Sequence, residues 1–112
     1  MSVGDHINID EFRRLDLRVG EVLLAEAVKG ADKLMRIELD LGPEKRQIVA
    51  GLAKHYEPEA LVGKQVIIAF NLQPAVIRGV ESNGMLLAAI DEDGVLAVLT
   101  TDRRVKNGSR VS

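Results

Sequence analysis

Asn71-Leu72-Gln73-Pro74-Ala75-Val76-Ile77-Arg78-Gly79-Val80-Glu81-Ser82-Asn83-Gly84-Met85 is the stretch on which the fold assignment turns. It separates two dense apolar runs, Val66 to Phe70 and Met85 to Ile90, of the kind that buried strands supply. A linker of this length exceeds what a tight hairpin needs. Its polar members Asn71, Gln73, Arg78, Ser82 and Asn83 are hydrogen-bonding types with little nucleophilic or metal-binding power unaided. On the rim of a barrel, such a loop points to recognition of a polar, anionic partner and away from catalysis.

The segments upstream also read as strands. Met35, Ile37, Leu39 and Leu41 alternate with Arg36, Glu38 and Asp40, the pattern of a half-buried strand. Leu17 and Val19 alternate with Asp16 and Arg18, and beyond Gly20 the apolar parity shifts to Val22 and Leu24, which predicts a bulge at Gly20. Asn8 and Glu11 have capping-box spacing for a short helix through about Leu15, with Phe12 and Leu15 as its buried stripe. Gly42-Pro43 turns the chain into a third strand around Gln47 to Ala50. Pro58 suits the first turn of another short helix and Gly63 its stop. Asp93-Gly94 turns the chain into Val95 to Leu99.

The runs at Val66 to Phe70 and Met85 to Ile90 are apolar on both faces, whereas a small barrel needs one apolar face per strand. A second covering layer is therefore expected, from the chain's terminal segments or another subunit, and a dimer contributing part of it is favoured.

Composition sets the outer bounds. With 112 residues, 46% hydrophobic and 29% charged, the chain is expected to form one domain, residues 1–112, with a core of its own. There is no cysteine, and His6 and His55 lie far apart, so neither disulfide framework nor metal site is expected. No apolar run approaches membrane-span length and the start carries no signal-peptide pattern, so a cytoplasmic location without membrane attachment is expected. No phosphate-binding loop or dinucleotide fingerprint occurs, and the glycine-flanked Ser82 lacks nucleophile-elbow spacing. No catalytic centre and no cofactor are expected.

Net charge is −2, which excludes binding of nucleic acid through bulk positive charge. Charge is nevertheless segregated. Lys29, Lys33 and Arg36 face only Asp32 locally, Arg103, Arg104, Lys106 and Arg110 face only Asp102, and no acid lies between Lys64 and Arg78.

Short strands with a small helix between the third and fourth fit an all-β, five-stranded oligonucleotide/oligosaccharide-binding (OB) barrel. In that fold the loops after strands 1 and 4 frame the binding face, so Lys29 to Leu34 would neighbour Leu72 to Gly84. The aromatic set is small, with Phe12 and Phe70 expected in the core and Tyr56 at the surface. A target recognised by shape, through phosphates and ribose hydroxyls, fits such a face better than unstructured RNA.

Six motifs then stand in order: Asp16-Leu17-Arg18-Val19-Gly20; Ala31-Asp32-Lys33-Leu34; Val49-Ala50-Gly51-Leu52; Tyr56-Glu57-Pro58-Glu59-Ala60-Leu61-Val62-Gly63-Lys64; Asn71-Leu72 with Pro74; and Arg78-Gly79-Val80-Glu81-Ser82-Asn83-Gly84-Met85-Leu86-Leu87-Ala88-Ala89. Together they resemble the structure-specific tRNA-binding domain that occurs free-standing in bacteria and at the C-terminus of methionyl-tRNA synthetases. The resemblance implies an OB barrel that dimerises through N- and C-terminal extensions and binds the folded tRNA body. It implies tRNA contacts at Lys33, Asn71, Arg78, Ser82 and Met85, with Lys29, Arg36, Gln73 and Asn83 as additional candidates. It also implies a synthetase catalytic domain as a partner in some settings.

Two departures qualify the resemblance. Gln73, Ala75, Val76 and Ile77 stand where the family commonly has basic residues, and Glu57 replaces a helix-capping Thr. Exposed Ala75, Val76 and Ile77 would suit an export-chaperone-like, protein-binding dimer of the same barrel family. A purely structural dimerisation domain is the third alternative.

Overall fold

The computed structural model of the chain describes residues 5–112, so the expected domain start at residues 1–4 lies outside the described residues. In chain order the elements are α1 (Ile9–Arg13), β1 (Leu17–Val28), β2 (Ala31–Asp40), β3 (Lys45–Ala50), α2 (Pro58–Leu61), β4 (Gln65–Ala69), β5 (Ala75–Ile77), β6 (Val80–Ser82), β7 (Met85–Leu86), β8 (Ala88–Ile90), β9 (Leu96–Val98) and β10 (Arg110–Val111). The main sheet has the order β3-β2-β1-β4-β7, with β10 added to β1. Every pairing in it is antiparallel.

The alternation in β2 settles the inside of the barrel. Met35, Ile37, Leu39 and Leu41 are each 1% exposed or less and meet Val22, Ile48, Val66 and Ile68 from the neighbouring strands. Leu61 of α2 plugs the same core, and Pro58 opens that helix while Glu57 makes no side-chain cap. β4 is buried at all five positions because it has cover on both sides. Its outer face joins Leu17 and Val19, with Leu87 and Val111 packed against them. The C-terminal residues thus supply part of the expected second layer.

A buried amide locks those residues in place. Gln65 donates to the Val105 carbonyl (2.6 Å) and to Asn107 Oδ1 (2.8 Å), and it accepts from the Val105 N–H (3.1 Å) and Thr101 Oγ1 (3.2 Å). Gly108 then crosses the end of β2 with φ near 89°, where an added Cβ would sit 2.3 Å from the Leu41 carbonyl oxygen. Only glycine fits that crossing.

Several expectations are corrected. The bulge lies at Leu23, not Gly20: β1 pairs with β4 in unbroken register through Gly20, and the shift against β2 falls between Val22 and Leu24. Helix α1 ends at Arg13, and Phe12 and Leu15 are each 37% exposed instead of buried. The helix is anchored by its capping box and by polar bonds at its exit, so its apolar stripe stays uncovered in the single chain. The run after Gly84 breaks into β7 and β8, with Leu86 buried but Met85 51% and Ile90 66% exposed. Tyr56 is partly buried against the core, its hydroxyl accepting from the Val98 N–H.

Closure of the barrel between β3 and β6 uses side chains in place of a full ladder. The Val49 N–H donates to Ser82 Oγ (2.9 Å), and the Asn83 N–H donates to the Gln47 carbonyl (2.9 Å). Gln47 Nε2 reaches the Glu81 carbonyl at 2.8 Å. Ser82 is 4% exposed, so Ser82→Ala should leave a buried N–H unpaired at a cost of about 1–3 kcal/mol. Urea titration should show the midpoint falling at constant m-value, and an unchanged midpoint would refute the closing role.

Candidate nucleic-acid interface

Two concavities lie on either side of this seam. The first, of about 310 Å³, is lined by Ala31, Asp32, Lys33, Leu34 and Arg78. β1 and β2 are joined at Lys29 and Gly30, so Lys33 is the third residue of β2 and does not lie in a long loop. Its backbone is fixed, its carbonyl accepting from the Ala53 N–H at 3.2 Å. Opposite, the hairpin β5–β6 turns at Arg78 and Gly79, with φ of 53° and 79°. Two successive left-handed residues are the signature of a type I′ turn, which matches the twist of a hairpin. For an arginine that conformation costs on the order of 1 kcal/mol, so the tip side chain is held in a strained, exposed position. The sequence expectation that the basic cluster and the polar loop are neighbours is met here.

Lys54 belongs to the same rim. Its Nζ lies 3.8 Å from Asp32, beside Lys33, although it was not singled out in the sequence. Arg36 behaves differently. It is tied to Glu26 (2.7 Å), Glu38 (2.8 Å) and Gln47 (2.9 Å), and the Glu38 and Glu26 hydrogen bonds raise its pKa further above the ordinary arginine value. The strand pairing Glu26↔Arg36 brought an acid that local sequence counting could not include.

The second concavity is a groove of about 580 Å³ between β3 and the segment after β4. At its floor the Phe70 ring is sandwiched by two guanidinium groups, Arg18 at 3.9 Å and Arg46 at 3.5 Å from its centroid. Phe70 packs, partly buried, against the core as expected, and it also carries this cation–π stack. Arg46 also donates to the Phe70 carbonyl (2.6 Å) and pairs with Glu44 (2.9 Å). Arg18 makes two bonds to Asp16, at 3.0 and 2.9 Å. These three residues share the inward parity of Val22, Ile68 and Ile48, so strand alternation would have placed them at the barrel mouth. Arg18 on β1 and Arg46 on β3 lie outside the Leu72 to Gly84 loop, so nothing local in the sequence joins them to it.

The remaining candidates divide by what their polar atoms already do. Asn71 accepts from the Asp16 N–H (2.9 Å) and donates to the Arg14 carbonyl (2.7 Å), tying the exit of α1 to the end of β4. Ser82 closes the seam and also donates to the Gly84 carbonyl at 3.2 Å. Lys29, Lys33, Gln73, Arg78 and Met85 are exposed, and Asn83 is half-exposed beside the groove. Among the described residues no cluster of histidines and acids could hold a metal, and no helix is long and apolar enough to cross a membrane.

An antiparallel barrel with a cationic hairpin tip and a polar groove on its rim defines the OB class of nucleic-acid-binding modules. The family model described as "Putative tRNA binding domain" matches residues 17–110, and the chain belongs to that family. It is 56% identical over 106 residues to a methionine–tRNA ligase of Methanosarcina mazei, an alignment covering 94% of this chain and 15% of the ligase. The chain thus corresponds to about 15% of that relative's length and matches its tRNA-binding domain, not its catalytic domain. Among solved structures, a MetRS related protein from Pyrococcus horikoshii superposes with a TM-score of 0.92 at 40% identity, covering 96% of this chain and 99% of that one. The chaperone CsaA from Bacillus anthracis superposes at 0.88 with 31% identity, covering 96% and 100%.

The Arg18 hydrogen bonds, reinforced by the charges of Arg18, Arg110 and Arg46 against a desolvation penalty, hold the Asp16 carboxyl below the ordinary aspartate value. Its stabilising contribution is therefore present above the unfolded pKa of about 3.9 and lost as pH falls through the lower folded value. Glu21, hydrogen-bonded by Asn107 and Arg104, is lowered in the same direction. The stability advantage of the native chain over Asp16→Asn should shrink as the pH falls below about 4. Urea midpoints measured across that range should converge, and a constant gap would refute the ion pair's contribution.

Proposed function

We propose that this tRNA-binding domain acts as one cytoplasmic unit that grips the folded tRNA body as a homodimer. The observation that carries the reading is the convergence of Lys33 and strained Arg78 on one concavity, with Lys54 paired to its Asp32, on a chain of net charge −2. Three cations against the single acid Asp32 on a rigid rim suit phosphate contacts spaced by a folded RNA. Lys29, exposed in the turn before β2, and Met85, exposed at the start of β7, are further candidate contacts in this reading. Asn71 and Ser82 act in this reading through the fold, and Arg36 through its acidic partners. In a longer protein, the partner would be a methionyl-tRNA synthetase catalytic domain.

Each phosphate contact released should cut the salt slope by about 0.7–0.9. Replacing Lys33 and Arg78 together with Ala should therefore weaken folded-tRNA binding by roughly a hundredfold at low salt and flatten the slope by nearly 2. Filter binding at several salt concentrations measures both, with unfolded tRNA as the competitor. Unchanged affinity, or equal affinity for unfolded tRNA, would overturn the reading.

Dimerisation rests on uncovered apolar surface. Phe12 and Leu15 on one side, and Ile90 (66% exposed) and Val95 (61% exposed) on the β8–β9 hairpin, are more than a small soluble monomer needs to expose. Sedimentation of Phe12→Asp with Ile90→Asp should give a folded monomer where the native chain gives a dimer. Two identical profiles would refute the interface.

A second reading has one specific observation in its favour. Val76 is 73% exposed on β5, where the family commonly carries positive charge, and a chaperone shares the fold. Salt-insensitive capture of an unfolded polypeptide, without tRNA binding, would favour it.

A further inference from the structure

We propose that the groove beside the cation–π stack is a pocket for a single unpaired nucleotide, taking its phosphate at one end and its base at the other. This rests on the tRNA-binding reading and assigns the groove a chemistry that phosphate contacts alone do not use.

The atoms divide the groove. Phe70 cannot stack a base, because guanidinium groups occupy both ring faces. Gln47 and Asn71 line it as fixed walls: Gln47 accepts from Arg36 and donates to the Glu81 carbonyl, and both ends of the Asn71 amide are bonded. Gln73 and Asn83 differ, since among the described residues their side-chain amides make no hydrogen bond. Each offers a donor and an acceptor, the match for a nucleobase edge. Leu72, 42% exposed, and Pro74 supply apolar surface for the base faces. Lys45 is exposed and, among the described residues, lies in no ion pair. Arg46 has committed Nε and Nη1 but makes no bond from Nη2. Those two cations outnumber Glu44, which lines the groove paired to Arg46 Nε, and form the phosphate end.

The volume of about 580 Å³ lies within the range of small-molecule sites, roughly 300–1,000 Å³. The groove and the Lys33–Arg78 concavity lie at opposite ends of β6, with Asn83 lining one and Arg78 the other. Three residues of β6, about 10 Å of strand, separate the two, so one RNA can engage both. An unpaired nucleotide of a folded RNA and a free ribonucleotide share this chemistry, and the experiment separates them.

Titration of the ¹⁵N-labelled protein with the four ribonucleoside 5′-monophosphates, free nucleosides and inorganic phosphate, followed by NMR, reads the site. Nucleotides should shift the Gln73 and Asn83 side-chain amides and the Lys45 and Arg46 signals at millimolar concentration, with affinities differing several-fold between bases. Inorganic phosphate should move only the Lys45–Arg46 end. Gln73→Ala with Asn83→Ala should erase the base preference and retain phosphate binding. If phosphate reproduces every shift, the groove holds an adventitious anion only, and the proposal fails. Equal binding of all four bases also overturns it, as does occupation by unfolded polypeptide in preference to nucleotides.

Folded tRNA supplies the second arm. The amide pair releases no counterions, so its double substitution should weaken tRNA about fivefold with the salt slope unchanged. Loss of binding in Lys33→Ala, Arg78→Ala together with an indifferent amide variant would sink the groove while leaving the tRNA reading intact. Base-selective nucleotide binding in a protein that ignores tRNA would do the reverse, supporting a free-nucleotide pocket.

Discussion

The hydrogen bond from the Val49 N–H to Ser82 Oγ is the contact on which the rest depends. It pairs a buried strand amide with a side chain contributed 33 residues later, and so joins the edge of β3 to the segment that closes the barrel. Without it, β3 would present an unsatisfied edge inside the core. With it, the β5–β6 hairpin is pinned so that Arg78 faces Lys33 on one side and Asn83 faces the groove on the other. Completion of the core and construction of the proposed binding rim are therefore one event.

The arginines and lysines divide the work. Arg18, Arg36 and Arg104 are tied to acids, and Arg46 combines an acid pair with the cation–π stack that caps the barrel mouth. The planar guanidinium suits such multiple, directional contacts better than an ammonium does. The exposed cations Lys29, Lys33 and Lys54, with Arg78, form the rim, and Lys45 lines the groove across the seam. A chain of net charge −2 can hold a positive rim because most of its arginine–acid pairs lie elsewhere, leaving Asp32 as the acid that lines it.

Local pattern revealed much of this. Alternation in residues 35–41 fixed the inner face of β2, the glycine pair at 42 and 63 fixed turns, and the ordered motifs fixed the family. What failed did so for reasons of partnership. A bulge is defined against its neighbour, so Gly20 looked like the irregular residue while Leu23 carried it. Asn71 bonds to residues 55 and 57 positions away, which no local rule connects. Arg36 counted as a free cation until Glu26 paired with it across the sheet. Phe12 and Leu15 have helical spacing, yet spacing does not say which surface covers them.

Amide hydrogen exchange at the seam tests most directly whether the closure prebuilds the site. In the free protein the Val49 and Asn83 amides should exchange as slowly as those of Ile37 and Ile68 in the core, and folded tRNA should leave their rates unchanged. Exchange at the rate of the exposed Gln73 amide, slowing only when tRNA binds, would contradict the account: the seam would then be made by the RNA and not by the fold.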